Sequence, residues 1–277
     1  MEAELRGETT RLGGLDATAV KLIAALIMTI DHIGAFCPDV PGVAGIMLPL
    51  RLVGRIAAPL FLYCVAESLR HTRDKRRFLR RMYLASVAVG IANETAAALI
   101  GGVSFGNIFQ SFAWMIFFVV SAEDTARHMK AGEKREAASS AAIFLLILAA
   151  SVLIDRLLEM EFAGVLTLRA VLHPFIRSPL EVEYSLGLIV LGVAWYYIPK
   201  KLWRCVLLAA LCLLCALHLW GYTRALTMFS GIQWGMAGAL PLLLLYNGRR
   251  GRGFKWFFYI YYPLNMYVLA LINSLYK

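Results

Sequence analysis

The chain has 277 residues, of which 60% are hydrophobic, and its mean hydropathy is +0.67. Ordinary globular domains are less apolar, and here the excess falls in blocks of about twenty residues, which favours a membrane protein over a soluble domain. The net charge of +10 lies mainly in short connectors between these blocks, with no basic patch interleaved with aromatic residues, so nucleic acid is not an expected partner.

The first apolar segment, residues 17–37, carries Asp31 and His32 well inside it. Ionisable groups at such depth cost several kcal/mol unless they are paired or hydrated, so they mark a candidate functional site. The acidic residues of the preceding tail, 1–16, and the lack of a cleavage site indicate a retained helix rather than a signal peptide.

Nine membrane spans are predicted along the chain, all within one domain of residues 1–277. A mixed stretch, 156–183, is interrupted by charges and prolines, and it predicts a loop with one amphipathic or re-entrant helix, a tenth span being the alternative. The nine spans are 17–37, 45–69, 81–100, 105–122, 138–155, 184–199, 203–220, 228–246 and 256–275.

Loop charge predicts the orientation. The four basic connectors are 70–81, 127–135, 200–204 and 249–255, and nine spans place all of them on one side together with the tail 1–16. The positive-inside rule then puts the N-terminus in the cytosol, as in a multi-pass protein of a bacterial inner membrane. The fold class expected is an all-α polytopic bundle of about nine or ten transmembrane helices.

A second pair of charges, Arg51 and Arg55, lies one helical turn apart in the next span. Opposite charges in neighbouring helices are most simply explained as partners, so Asp31 is expected to hold one of the two arginines.

Other polar residues fall at a similar depth, toward the extracytoplasmic side. Such a pattern is expected if these residues line one shared chamber. It is also expected if they are unrelated, because the ends of membrane spans are usually polar. The depth of the arginines and of Glu94 favours the chamber. The further members of the set are Asn93, Asn107, Ser111, His218 and Arg224.

The five cysteines do not form a disulfide framework. Cys212, Cys215 and His218 recur at spacings of three residues, as metal ligands can, but cysteines packed between membrane helices are commoner and no fourth ligand is evident. We therefore predict no metal site.

Several segments in order resemble the TraX family, membrane proteins of conjugative systems whose best-known member N-acetylates pilin. They run through nearly the whole chain from about Leu15. The segments are KLIAALIMTIDHIG (21–34), LRLVGRIAAPLF (50–61), HTR (71–73), the run ending at Arg80 and Arg81, GNIF (106–109), LLLLYNGRRG (242–251) and FFYIYYPL (257–264).

The resemblance implies an integral membrane acetyltransferase that moves an acetyl group from acetyl-CoA to an amine or hydroxyl, such as the N-terminus of a secreted or membrane-embedded pilin. Its family pattern commonly has a histidine where this chain has Asn265. Asparagine still forms hydrogen bonds but does not exchange a proton near neutral pH.

For such a transfer, His32 is the candidate general base, because its ordinary pKa near 6.5 suits the task. The side chain of Asp31 points about 100° away on the helix and is expected to hold one of Arg51 and Arg55, while the other arginine faces the oxyanion or donor. Asn107 is a further candidate catalytic donor.

The candidate acceptor-binding residues are Glu94, Ser111 and Asn265. The sequence shows no Gly-rich phosphate loop. The basic connectors are candidates to bind the CoA phosphates, although the positive-inside rule already accounts for their charge; the residues are Arg73, Arg76, Arg77, Arg80, Arg249 and Arg250. The hypothesis predicts a passage lined by the first four spans, with His32 at its outer end.

Two other functions stay open at this point. A small-solute transporter would use the buried charges as a path, although no inverted repeat or matching pair of broken helices is visible. A non-catalytic assembly factor for a pilus or secretion system would need the polar cluster only for helix packing.

Overall fold

The computed structural model describes residues 14–101, 103–159, 165–217 and 232–276. Within these ranges the chain is helical and forms no strand, apart from an isolated backbone pairing of Leu15 with Tyr246. The predicted helical membrane bundle is confirmed.

The described helices follow in chain order, with one short 3-10 helix at Gln233–Gly238 before α10. They are α1 (Ala17–Phe36), α2 (Val43–Gly54), α3 (Ala57–Arg70), α4 (Lys75–Ile100), α5 (Ile108–Lys130), α6 (Lys134–Glu159), α7 (Val165–Leu172), α8 (Ser185–Tyr197), α9 (Lys201–Ala216), α10 (Ala239–Leu245) and α11 (Lys255–Ser274).

Four described segments are both long enough and apolar enough to cross a membrane: α1, Val43–Arg70, α4 and α6. Two further helices have spanning length, with 23 residues in α5 and 20 in α11. The predicted spans 203–220 and 228–246 both reach into residues 218–231, which lie outside the described residues. His218 and Arg224 belong to this range. The count of nine or ten spans stays a prediction.

The second predicted span is not one continuous helix. Pro59 has no N–H to donate to the carbonyl of Arg55, and its ring crowds that carbonyl, so the regular hydrogen bonding stops there. The backbone instead forms tight turns, with Arg55 N donating to Leu52 O and Ile56 N donating to Val53 O. The break between α2 and α3 therefore places Arg55 at a helix end.

Contacts between connectors define one end of the bundle, here called the basic end. Arg70 donates hydrogen bonds to the carbonyls of Tyr196 and Ile198, and Ala17 N donates to Arg249 O. Further contacts join Arg76 to Asp124 and Lys201 to the carbonyls of Leu244 and Tyr246. The four basic connectors thus share the end at which α1 and α4 begin, in agreement with the arrangement that the loop charges predict.

Residues 173–184 enter the bundle as irregular backbone between α4 and α5, and we call them the re-entrant segment. The helix before them, α7, has only 8 residues, too few to span, so the described residues of the stretch 156–183 form no tenth span. Side chains of Tyr83, Gln110 and Trp114 donate hydrogen bonds of 2.8–2.9 Å to carbonyls of this segment. Irregular backbone at membrane depth requires such internal partners.

Candidate functional site

The central ion-pair cluster joins α1 to α2. The carboxylate of Asp31 accepts hydrogen bonds from Arg51 Nη1 and Arg55 Nη2, each at 2.6 Å. Asp31 and Arg55 are buried, and Arg51 is partly exposed. We expected one arginine on Asp31 and the other on the oxyanion or donor, but both guanidiniums pair with this carboxylate, because the turn of α2 that separates them presents both to one face of α1.

The close approach of α1 and α2 depends on Gly54. A Cβ atom at this position would lie 2.1 Å from Asp31 Oδ1, well inside van der Waals contact. No other residue type leaves room for the Asp31 carboxylate against the α2 backbone. Gly54 thus belongs to the site although it has no functional group.

His32 lies next to this cluster on α1 and is buried. Its Nδ1 atom is 2.7 Å from Oδ1 of Asn265 on α11, while Nδ2 of Asn265 donates to Thr29 Oγ1 at 3.2 Å. Thr29 Oγ1 also donates to Ala25 O at 3.0 Å and lies 2.6 Å from the hydroxyl of Tyr261. In this orientation of the amide, Oδ1 accepts from Nδ1–H of His32, so the neutral imidazole has its lone pair on Nε2.

A small cavity of about 20 Å³ borders His32, large enough for about one water molecule. Its polar lining comes from three parts of the chain: Asp31 and His32 from α1, Tyr262 from α11, and Glu183 and Tyr184 from the re-entrant segment. An imidazole, two carboxyl groups and two phenols therefore converge on one small cavity.

Glu183 is held on several sides. Tyr262 donates its hydroxyl proton to Glu183 Oε2 at 3.0 Å, and Ser111 donates to the Glu183 carbonyl at 2.6 Å. A Cβ atom at Gly106 would lie 2.7 Å from Oε2, so this glycine lets the carboxyl group pack against the backbone before α5. The carboxyl group is consequently fixed toward the small cavity.

Tyr184 has φ 61° and ψ 10°, the left-handed region that a bulky side chain rarely adopts. Among the described residues it is the one non-glycine residue with positive φ. Its ring lies 5.7 Å from the guanidinium of Arg55. Such strain persists only where the surroundings hold it, and it concentrates at functional sites.

A larger cavity of about 550 Å³ opens at the basic end. Five of its lining residues are cationic or titratable to a cation: Lys21, His71, Arg81, Arg250 and Arg252. The deeper wall is apolar and includes the phenylalanines Phe109, Phe112 and Phe258. The cavity thus pairs a positively charged mouth with an apolar interior.

Part of this mouth is the segment GRRGRG, residues 248–253, between α10 and α11. Gly248 and Gly251 have φ values of 80° and 68°, and Gly248, Arg250, Arg252 and Gly253 line the cavity. Backbone of this kind, rich in glycine and guanidinium groups, is suited to phosphate. The sequence carried this signal, although it fits no known phosphate-loop pattern.

Phe61 on α3 lines both cavities. Four helices, α1, α3, α5 and α11, contribute to the walls of each, and α4 adds residues only to the larger one. A passage with His32 at one end was expected from the first four spans. Among the described residues the structure has two separate cavities, and α11 contributes to both of them, with Tyr259 lining the larger and Tyr262 the smaller. A continuous passage between them stays a prediction.

The remaining predicted catalytic and acceptor residues lie around this site rather than in it. Asn107 is buried and donates to Ser86 O, Ser111 holds the Glu183 backbone, and Glu94 is half-buried on α4. None of the three lines the small cavity. Asn265 contacts His32 directly, a position that favours orienting the imidazole over binding an acceptor.

The arginines predicted to bind CoA phosphates are dispersed. Arg250 lines the large cavity, whereas Arg76 and Arg80 line a different groove between α4, α5 and α6. Arg73, Arg77 and Arg249 are exposed and line neither.

The comparisons agree with the resemblance in the motifs. The model of the family described as TraX protein matches residues 16–181, more than half of the chain, while no curated protein and no solved structure matches. The matched range includes the ion-pair cluster and His32, and ends before Glu183 and Asn265. Membership of this family indicates a conjugation-associated membrane protein. The chain belongs to the TraX family.

Proposed function

We propose that this protein is a membrane acetyltransferase that moves an acetyl group from acetyl-CoA to an amine or hydroxyl acceptor. One observation carries the proposal: His32, whose Nδ1 contacts Asn265, lines a small cavity that shares Phe61 with a large cavity having a cationic mouth. A base and a site for an anionic thioester would thereby lie on one path through the bundle.

The donor enters from the basic end, which the loop charges assign to the cytosol, where acetyl-CoA is made. Its phosphates bind Arg81, Arg250 and Arg252, and Lys21 is half-buried a little deeper. The thioester end then extends along α1 toward His32. Lys21 and His32 are eleven residues apart, a rise of roughly 16 Å along the helix.

The acceptor reaches the small cavity from the other end, where the Glu183 carboxylate binds its ammonium group and takes one proton from it, which leaves a neutral amine. His32 Nε2 removes a proton from the attacking amine or hydroxyl as the new bond to the thioester carbon forms. The tetrahedral oxyanion accepts a hydrogen bond from Tyr184, whose strained backbone sets its position. The C–S bond then breaks, and the protonated imidazole returns the proton to the CoA sulfur.

The small cavity holds about one water molecule, so it does not contain both reacting groups while Phe61 is in place. Transfer therefore includes a movement of the Phe61 side chain, which opens the path only when a thioester occupies the large cavity. A closed path in its absence also prevents leakage across the membrane. The acceptor class proposed is the N-terminus of a pilin or a similar secreted protein, and the location proposed is the bacterial inner membrane.

The test uses purified full-length protein in lipid nanodiscs with acetyl-CoA labelled on the acetyl group. Two readouts are needed: equilibrium binding of acetyl-CoA, and release of CoA on addition of peptides with free N-termini. We expect binding without acceptor and transfer with it. His32→Ala should lower transfer by about 100-fold or more while leaving acetyl-CoA binding intact.

His128→Ala is the matched control, because His128 lies in the last turn of α5, pairs with Glu133 and lines neither cavity. It should retain transfer. Full activity of His32→Ala would refute the assigned base, and the absence of acetyl-CoA binding to the folded wild-type protein would refute the enzyme altogether.

A further inference from the structure

A second groove, separate from the path described above, lies between α4, α5, α6 and the re-entrant segment. It encloses about 440 Å³. Its apolar wall is formed by Leu79, Ala113, Phe117, Ile147 and Ile176. Neither His32 nor Glu183 lines it, so the proposed acetyl transfer does not use it.

The groove opens sideways on the bundle surface. Its edge residues Tyr83, Ile147 and Phe175 are 43%, 37% and 49% exposed. Tyr83 and Ile147 lie along helices that the sequence places in the membrane, so the opening faces lipid rather than water. An occupant can therefore enter from within the bilayer.

One end of the groove is positively charged. Arg76 and Arg80 line it one turn apart in the first two turns of α4, at the basic end. Arg76 pairs with Asp124 at 2.7 Å, but Asp124 also accepts from Arg127 at 2.8 Å, so one carboxylate faces two guanidiniums. Arg80 forms no ion pair with any described residue. A net positive charge remains at this end.

The depth of the groove fits one hydrocarbon chain. Its α4 wall extends from Arg76 to Ser86, ten residues or about 15 Å. Arg177 closes the far end, within electrostatic range of the carboxylate of Asp155. A molecule that enters the groove from the basic end therefore meets the two arginines of α4 first and the apolar wall next.

We propose that this groove binds one anionic phospholipid of the cytosolic leaflet. The phosphate lies on Arg76 and Arg80, and one acyl chain extends between α4, α5 and α6. Guanidinium groups at the leaflet surface favour anionic over zwitterionic headgroups. Because Phe175, Ile176 and Arg177 belong to the re-entrant segment, the bound lipid also braces the segment that supplies Glu183 and Tyr184.

The test is native mass spectrometry of the delipidated full-length protein, titrated with phosphatidylglycerol and with phosphatidylcholine of identical acyl chains. We expect one phosphatidylglycerol bound in preference to phosphatidylcholine, with each arginine contributing roughly five-fold in affinity. Arg80→Ala should lose about that factor for phosphatidylglycerol and leave phosphatidylcholine unchanged. Equal binding of both lipids to the wild type would overturn the proposal.

Arg77→Ala is the matched control, since Arg77 is exposed on the same turn of α4 but does not line the groove. This variant should retain the preference for phosphatidylglycerol. A loss of affinity equal to that of Arg80→Ala would show that general surface charge, and not the groove, causes the preference. Ile147→Trp, which fills the groove, should weaken the binding of both lipids. Soluble glycerophosphoglycerol should not displace the lipid; displacement would identify a free-phosphate site instead.

Discussion

The Nδ1 atom of His32 and the Oδ1 atom of Asn265 lie 2.7 Å apart across the contact between α1 and α11. Where the family pattern commonly has a histidine, this chain thus has an amide that fixes the tautomer of a histidine 233 residues earlier. The same amide donates a hydrogen bond to Thr29. Asn265 is therefore best described as a positioning residue.

Replacement of Asn265 tests this role. Asn265→Leu leaves the Nδ1–H of His32 buried without an acceptor, at a cost of about 1–3 kcal/mol, and removes the constraint on the tautomer. We expect a large decrease in kcat with little change in KM for acetyl-CoA, measured in the nanodisc assay.

Asn265→His, the residue of the family pattern, offers a ring nitrogen as acceptor and should recover most of the activity. A leucine variant as active as the wild type would contradict the positioning role.

The close approach of α2 to α1 gives a second prediction, which concerns the stability of the folded protein. Gly54→Ala places a methyl group 2.1 Å from Asp31 Oδ1 and must displace the carboxylate or the helix. Overpacking of this kind costs about 1–3 kcal/mol, and the loss of the ion pairs adds to it. Thermal unfolding in detergent should show a clearly lower Tm.

Gly45→Ala is the control on the same helix, because a Cβ atom there meets nothing within 4 Å. Alanine favours a helix over glycine by about 1 kcal/mol, so this variant should match or exceed the wild type. Equal losses for the two variants would show that the contact with Asp31 does not matter.

Phe61 should limit the length of the acyl group. Phe61→Leu shortens the side chain between the two cavities, and we expect propionyl-CoA and butyryl-CoA to become better donors relative to acetyl-CoA. The measurement is the ratio of kcat/KM values for the three thioesters.

Phe118→Leu serves as the comparison, since Phe118 packs against Trp114 and Phe144 away from both cavities. An unchanged ratio in Phe61→Leu would place the chain-length limit elsewhere.

The cationic mouth of the large cavity predicts the response of donor binding to charge. Arg250→Glu and Arg252→Glu should raise KM for acetyl-CoA and make it less sensitive to added salt, because fewer favourable charge contacts remain to be screened, while kcat changes little. Arg249→Glu should leave KM near the wild-type value, because Arg249 does not line the cavity. The same increase in all three variants would indicate only a nonspecific effect of net charge.

The sequence predicts the ion-pair cluster well, and the reason is energetic. Few explanations other than pairing accommodate Asp31, Arg51 and Arg55 in apolar segments, so the partners follow from their depth. The sharing of Asp31 by both arginines depends on the break before Pro59 and on the close packing at Gly54. Both are local features of the sequence, but their effect on α1 depends on the packing of two helices.

Glu183 and Tyr184 could not be assigned from hydropathy. They belong to a stretch whose charges and prolines indicate a loop, and its position between α4 and α5 depends on hydrogen bonds from Tyr83, Gln110 and Trp114. No local periodicity encodes such contacts. The composition of residues 156–183 allowed the prediction of a re-entrant segment. It did not show that this segment places Glu183 and Tyr184 at the site.

The pairing of α1 with α11 also bears on how the protein matures. The imidazole that enters the bilayer with the first helix finds its amide partner only when the eleventh helix has been synthesised and inserted. Until then the translocon or the lipid must accommodate an unsatisfied polar side chain, and the tautomer of the imidazole is not defined. The contact between His32 and Asn265 therefore forms only late in biogenesis, after every earlier described helix has been synthesised.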